Sequence, residues 1–154
     1  MLNRAECSGL LGNGGMGRVA VTVGALPTIF PVNYAILDGD VVFRTTPGTK
    51  LAAAVHDAVV AFEVDDVDRV SHTGWTVVVI GPSREISNPA DIAAAQCLLL
   101  SRRKGGAGGE SVVRLRADLV SGRRFETEPE PGRDGEVEHP GPSDPRGAER
   151  LRLH

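Results

Sequence analysis

At 154 residues and 16.2 kDa the chain has room for one folded unit with a real core, since a polypeptide of about 150 residues buries roughly 68–70% of its extended surface. It is 41% hydrophobic, 24% charged and only 4% aromatic, with a formal net charge of −3, a balance that excludes a surface built for phosphate backbones or stacked bases. No run approaches the ~18 apolar residues of a membrane span, the first residues hold no apolar signal-peptide stretch, and Cys7 and Cys97 are too few for a disulfide framework, so a soluble cytoplasmic domain with free thiols is expected.

Asn3 with Glu6 at capping-box spacing predicts a short helix reaching Leu11. Gly12-Asn13-Gly14-Gly15-Met16-Gly17 spells GxGxxG, but that fingerprint needs a strand before it and a helix after it. Here the order is reversed, and the run reads as a turn. Residues 18–23 form a β-branched strand ending at Gly24, and residues 28–37 a second. Asp38-Gly39 then separates it from a third at 41–45, a strong hairpin signal. Pro47-Gly48 turns the chain into a helix over 49–55. Strands follow at 59–64 and 75–80. Asp65, Asp66 and Asp68 lack the calcium-loop spacing and read as a solvated turn. His56, His72, His139 and His154 show no ligand spacing, so no metal is expected. Asn88 and Pro89 supply an N-cap and first position for a helix over 90–100. Arg102-Arg103-Lys104 heads a Gly-rich exposed loop, and strands close the domain at 111–115 and 122–125. From Glu126 onward five prolines, four glycines, eight acidic and four basic residues leave only four apolar side chains. Such a segment cannot bury enough surface to offset its ordering entropy. The reading is therefore a folded domain at 1–125 and a disordered acidic tail at 126–154. Six or seven short strands with a few short helices make the domain mainly β, a small antiparallel barrel.

The stretch 31–51 carries the candidate site. Period-2 alternation puts Phe30, Val32, Tyr34 and Ile36 on the core face of their strand and turns Pro31, Asn33 and Ala35 away from it. Proline cannot donate to a ladder, so this strand lies at an edge, is bulged, or is open to a ligand there. Arg44, Thr45, Thr46, Thr49 and Lys50 then gather two cations and three hydroxyls around a predicted helix start. Guanidinium grips phosphate in a bidentate fashion, and helix N-termini attract anions. A phosphate site or an ordinary polar turn both fit.

Pro31-Val32-Asn33-Tyr34, then Val41-Val42-Phe43-Arg44-Thr45-Thr46-Pro47-Gly48-Thr49-Lys50-Leu51, resembles the pyridoxamine 5′-phosphate oxidase-like, FMN-binding split-barrel family. Val60-Ala61-Phe62-Glu63-Val64-Asp65, Thr73-Gly74-Trp75-Thr76-Val77-Val78-Val79-Ile80-Gly81 and Leu119-Val120-Ser121-Gly122-Arg123-Arg124-Phe125 extend the resemblance over residues 4–125. It implies a six- or seven-stranded antiparallel split β-barrel and a homodimer with FMN in clefts between subunits. Carried over, Pro31, Val32, Asn33 and Tyr34 line the flavin ring, largely through backbone groups. Arg44, Thr45, Thr46, Thr49 and Lys50 hold the phosphate and ribityl chain. Trp75 either packs in the core or reaches the cofactor from the partner subunit. No protein residue need be catalytic, because the flavin carries the redox chemistry. The oxidase's C-terminal substrate motif is not recognisable, so the expected activity is an oxidoreductase on a small molecule other than vitamin B6. A deazaflavin-dependent reductase, or a flavin carrier or sensor without turnover, remain the alternatives.

Overall fold

Hairpins whose turns the local sequence dictates account for most of the architecture. The computed structural model describes residues 1–100 and 109–126; of the tail expected at 126–154 only Glu126 is described, as the last residue of a strand, and the rest of it and the Arg102-Arg103-Lys104 loop lie outside the described residues. The order is α1 (Arg4–Gly12), β1 (Gly15–Val23), β2 (Leu26–Leu37), β3 (Asp40–Thr45), α2 (Lys50–Ala54), β4 (Ala58–Asp68), β5 (Thr73–Glu85), α3 (Pro89–Leu100), β6 (Ser111–Leu115) and β7 (Leu119–Glu126). Asn3 and Glu6 close the reciprocal capping box of α1. Asp38 and Gly39 both take positive φ, at 53° and 85°, as a two-residue hairpin turn with the right-handed strand twist requires.

The neighbours run β4-β1-β2-β3-β6-β5-β7, and β4 also pairs with β5. That last pairing closes six antiparallel strands into a barrel and leaves β7 as a seventh strand on the outer side of β5. Strand β5 serves three partners: β4 along its length, β7 through residue 80, and β6 from Ser83 to Glu85. The switch falls beside Gly81, where an added Cβ would lie 1.9 Å from the Arg116 carbonyl oxygen. Only glycine lets the β6–β7 connection pass so close. The acidic stretch is not a turn, because the long β4–β5 ladder pairs Asp65 with Thr76 and Asp66 with Trp75. Asp68 alone serves the turn, accepting from the Val70 and Ser71 amides and the Ser71 hydroxyl.

Alternation along the strands fills the barrel. Val19, Val21, Val32, Tyr34, Phe43, Phe62, Val77 and Val79 form one buried cluster, joined by Cys7 and Leu11 of α1. A second, smaller cluster lies on the outer face, where Ala95 and Leu99 of α3 cover Ala35, Val42 and Val112. Arg114 fastens this side by donating to Asp38 at 3.0 Å and to the Leu37 carbonyl at 3.3 Å.

The rest of the outer face is open and its register is regular. Ile29 opposes Ala20, Ala20 opposes Ala61, Ala61 opposes Ile80 and Ile80 opposes Leu119. One apolar row thus crosses five strands, with Ile29 and Leu119 each 65% exposed. The adjacent row runs Pro31, Arg18, Glu63, Val78, Ser121. Within it Arg18 donates to Glu63 at 2.9 Å and reaches across to Asp65 at 2.5 Å. Among the described residues no helix is long and apolar enough to cross a membrane.

Candidate functional site

Strands β2 and β3 pair only where Tyr34 to Leu37 meets Asp40 to Phe43. Earlier in β2, Pro31 and Asn33 still oppose Arg18 and Met16 of β1, but among the described residues no strand joins their other edge. A residue without an N–H is tolerated at such an edge. Strand β3 continues past Phe43 with β6 as its neighbour, Thr45 opposing Ser111. The divergence of β2 from β3 opens a cavity of about 340 Å³.

Seven of the ten residues expected from sequence line this cavity: Pro31, Val32, Asn33, Arg44, Thr45, Thr46 and Thr49. Arg44 is largely buried, its side chain 14% exposed. One guanidinium nitrogen donates to Glu110 at 3.3 Å and the other to the Gln96 carbonyl at 3.5 Å. Guanidinium carries five N–H donors, so these two bonds hold the side chain in place without exhausting it. The Thr49 hydroxyl donates to the Thr46 carbonyl at 2.8 Å and accepts from the Ala52 amide at 3.2 Å. It caps α2 and pins the turn that forms one wall.

The helix after that turn is shorter than its sequence suggests. Spanning only Lys50–Ala54, it is a little over one turn, too short to build an appreciable dipole, and Thr49 itself takes the Ala52 amide. The anion-attracting helix start expected from sequence is therefore reduced to side chains and the hydroxyl-rich turn. Lys50 is exposed and outside the cavity wall.

Three further residues singled out in the sequence lie outside this cavity's wall. The Tyr34 side chain is fully buried; its hydroxyl donates to the Leu11 carbonyl at 3.1 Å and its ring meets Phe62 edge-on at 4.7 Å. Ala35, expected to face outward with Pro31 and Asn33, is covered by α3. Half-buried Trp75 packs against the main core and lines a separate hollow of about 620 Å³ with Gly74 and Phe125. Within one chain it does not join the cavity of Pro31 and Arg44.

Sequence reasoning missed three lining residues: Leu51, Leu99 and Glu110. Neither Glu110 nor Leu99 carries a local signal: the long-range pairing of β6 with β3 brings the first here, and the packing of α3 the second. A second cavity of about 550 Å³ lies on the other flank of the same turn and shares Thr45 and Thr49 with the first. Among the described residues no group of three His, Cys, Asp or Glu side chains is arranged to hold a metal ion.

A family model described as pyridoxamine 5′-phosphate oxidase matches residues 3–124. The chain belongs to this family. An uncharacterized Mycobacterium tuberculosis protein, Rv0080, is 39% identical over 129 residues, covering 80% of this chain and 84% of its own. Among solved structures, the FAD-binding protein from Mycobacterium smegmatis is 37% identical with a TM-score of 0.73, over 81% of this chain and 97% of that one. A FAD-binding protein from Mesorhizobium loti, at 24% identity, has a TM-score of 0.71 over 81% of this chain and 96% of that one. At that lower identity the likeness speaks for the family's fold alone.

Proposed function

We propose that this family member binds a flavin in the cavity between β2 and β3 and acts as an oxidoreductase on a small-molecule substrate other than vitamin B6. The observation that carries the reading is the free edge of residues 31–33 facing Arg44, Thr45, Thr46 and Thr49 across one cavity. The groups suit the ligand's parts. A strand edge without a neighbour offers backbone groups to the polar rim of the ring, hydroxyls suit a ribityl chain, and Arg44 suits a phosphate. The FAD-binding relative at 37% identity supports the same assignment. FMN, the flavin implied by the resemblance, is the smallest that contains all these parts. Bound flavin supplies the electron transfer, while the chain's residues orient it and exclude water from one face.

The cavity is near the lower end of the roughly 300–1,000 Å³ of ligand sites, so a flavin would project from it. In this reading a second copy covers the projecting ring. The apolar row from Ile29 to Leu119 is the surface that copy uses, since the row beside it begins at Pro31, which also lines the cavity. A two-fold axis through that face produces two equivalent sites per dimer. Any contact of Trp75 with the ring is then made across the interface, by the side chain of the other copy.

Titration of the purified, flavin-stripped protein with FMN, followed by flavin fluorescence, tests the proposal. Replacing Arg44 by alanine removes charge-assisted hydrogen bonds worth roughly 1.5–3 kcal/mol, about ten- to 150-fold in affinity. An unchanged affinity in R44A overturns the cavity assignment. Failure of the parent protein to bind any flavin, with tight binding of a deazaflavin instead, favours the reductase alternative.

A further inference from the structure

Helix α3 meets the first cavity at two points. Leu99 lines it, and the Gln96 carbonyl accepts from Arg44, the proposed phosphate ligand. Resting on the flavin reading above, we infer that Arg114, which stands outside the cavity wall, is a positioning residue for this site. Through Asp91 it fixes the register of α3, and α3 in turn holds Arg44 where a phosphate meets it.

The composition of α3 explains why a fastening is needed. Asp91 is its one charged residue and Gln96 its one other polar side chain. A helix apolar on nearly every side has no narrow stripe to dictate which face turns inward. Ala95 and Leu99 are buried over Ala35, Val42 and Val112, while Ala93, Ala94, Cys97 and Leu98 are exposed. Rolling the helix would trade one apolar face for another, so packing alone discriminates weakly between them. An ion pair at one fixed position removes that ambiguity, as single polar contacts do when they set helix register.

Arg114 supplies the fixed position. Its guanidinium stands 3.0 Å from Asp38, 3.3 Å from Asp40 and 3.5 Å from Asp91, and it also donates to the Leu37 carbonyl. Leu37, Asp38 and Asp40 belong to the β2–β3 hairpin, whereas Asp91 belongs to the helix. The arginine is thus held rigidly on the sheet and reaches α3 through one carboxylate. Asn88 accepts from the Ala90 and Asp91 amides, so the turn presenting that carboxylate is itself pinned. Arg114 opposes Val42, and Arg44 lies further along the same face of β3, opposing Val112. The spans agree. Helix α3 rises about 12 Å from Asp91 to Leu99, and β3 runs about 13 Å from Asp40 to Arg44. A helix seated at Arg114 therefore delivers its later turns to Arg44.

Riboflavin, which has the ring and ribityl chain of FMN without its phosphate, separates positioning from mere stability. The purified, flavin-stripped protein is titrated with each ligand and followed by flavin fluorescence. The proteins compared are the parent, Arg114→Ala, Asp91→Asn, Arg44→Ala and the double variant D91N/R44A. D91N removes the helix-side charge and leaves Arg114 its hairpin contacts, so it decides the matter even if R114A does not fold. FMN should bind D91N and R114A about tenfold more weakly than the parent, the size of a coupled contact. Riboflavin, which meets α3 through Leu99 alone, should lose less, so the preference for FMN over riboflavin narrows. Adding D91N to R44A should cost FMN nothing further, because both changes act through one guanidinium. Equal losses for the two ligands, or additive losses in the double variant, overturn the positioning role. So does an unchanged FMN affinity in D91N beside a weakened R44A, and that result leaves the flavin reading intact. Unchanged FMN affinity in R44A, or no flavin bound by the parent, overturns both.

Discussion

Gly81 shows how one missing side chain can decide a topology. It stands where β5 exchanges β7 for β6 as its neighbour, and the Arg116 carbonyl comes within 1.9 Å of where a Cβ would be. The obstacle is backbone, tied by the Arg116 amide to the Pro82 carbonyl at 3.0 Å, so it cannot swing aside as a side-chain tip would. Gly81→Ala should therefore lose roughly 1–3 kcal/mol or more of stability, the range of overpacked sites. Chemical denaturation measures it, and an unchanged midpoint would show that the connection yields freely. Asp68 gives a residue-scale prediction about pH. The Ser71 hydroxyl, followed by the Val70 and Ser71 amides, holds its carboxyl below the usual 3.8. A depressed folded value means the charged form steadies the β4–β5 turn above the unfolded value. That support is lost as pH falls through the lower, folded value. The Val70 and Ser71 amide resonances should titrate with a midpoint below 3.8; a midpoint at or above it would contradict these bonds.

Among the elements, α3 matters most for the site. Leu99 is 3% exposed, packs with Ala95 over Ala35, Val42 and Val112, and also lines the first cavity. Leu99→Ala should cost about 2–5 kcal/mol and loosen flavin binding, because one truncation removes both an anchor of the helix and a cavity wall. A variant that melts like the parent would mean that α3 does not hold that wall. This element also marks the boundary of what sequence alone could reveal. Asn88-Pro89 announced the helix by local chemistry, and Asp38-Gly39 announced the hairpin, since caps and turns depend on neighbouring residues only. No local signal says that α3 lies across Ala35, or that β4 and β5 stay paired through Asp65 and Asp66. Those outcomes come from long-range register. Likewise the alternation of Phe30, Val32, Tyr34 and Ile36 correctly marked the core face, while the helix at Thr49 proved too short for the electrostatic role its N-cap suggested.

For the whole molecule, the five-strand apolar row is the feature that a lone chain leaves unexplained. Exposed hydrophobic side chains scattered singly need no account, but a contiguous line of them reads as an interface. Leu119 and Ile29 end the row at opposite sides and are each 65% exposed, so a charge at either costs the isolated barrel little. The parent protein should scatter light as a dimer carrying two flavins. The double variant Ile29→Lys, Leu119→Lys should be a monomer of near-parent thermal stability with weakened flavin binding. A variant that stays dimeric would place the contact elsewhere, and a flavin-loaded parent monomer would remove the need for the second copy.

Barrel closure also imposes an order in time. Strand β3 spans residues 40–45, yet the neighbour on its outer edge, β6, is not reached until residue 111. While the chain emerges from the ribosome, β1, β2 and β3 can pair as successive hairpins long before that edge is satisfied. For some 65 residues of synthesis Val41, Val42 and Phe43 would present an unpaired, apolar strand edge, the kind of template that recruits other chains. The nascent protein should thus be at its most aggregation-prone midway through translation. Ribosome-stalled chains ending just before Ser111 should need a chaperone to stay dispersed, whereas chains long enough to release β6 should not.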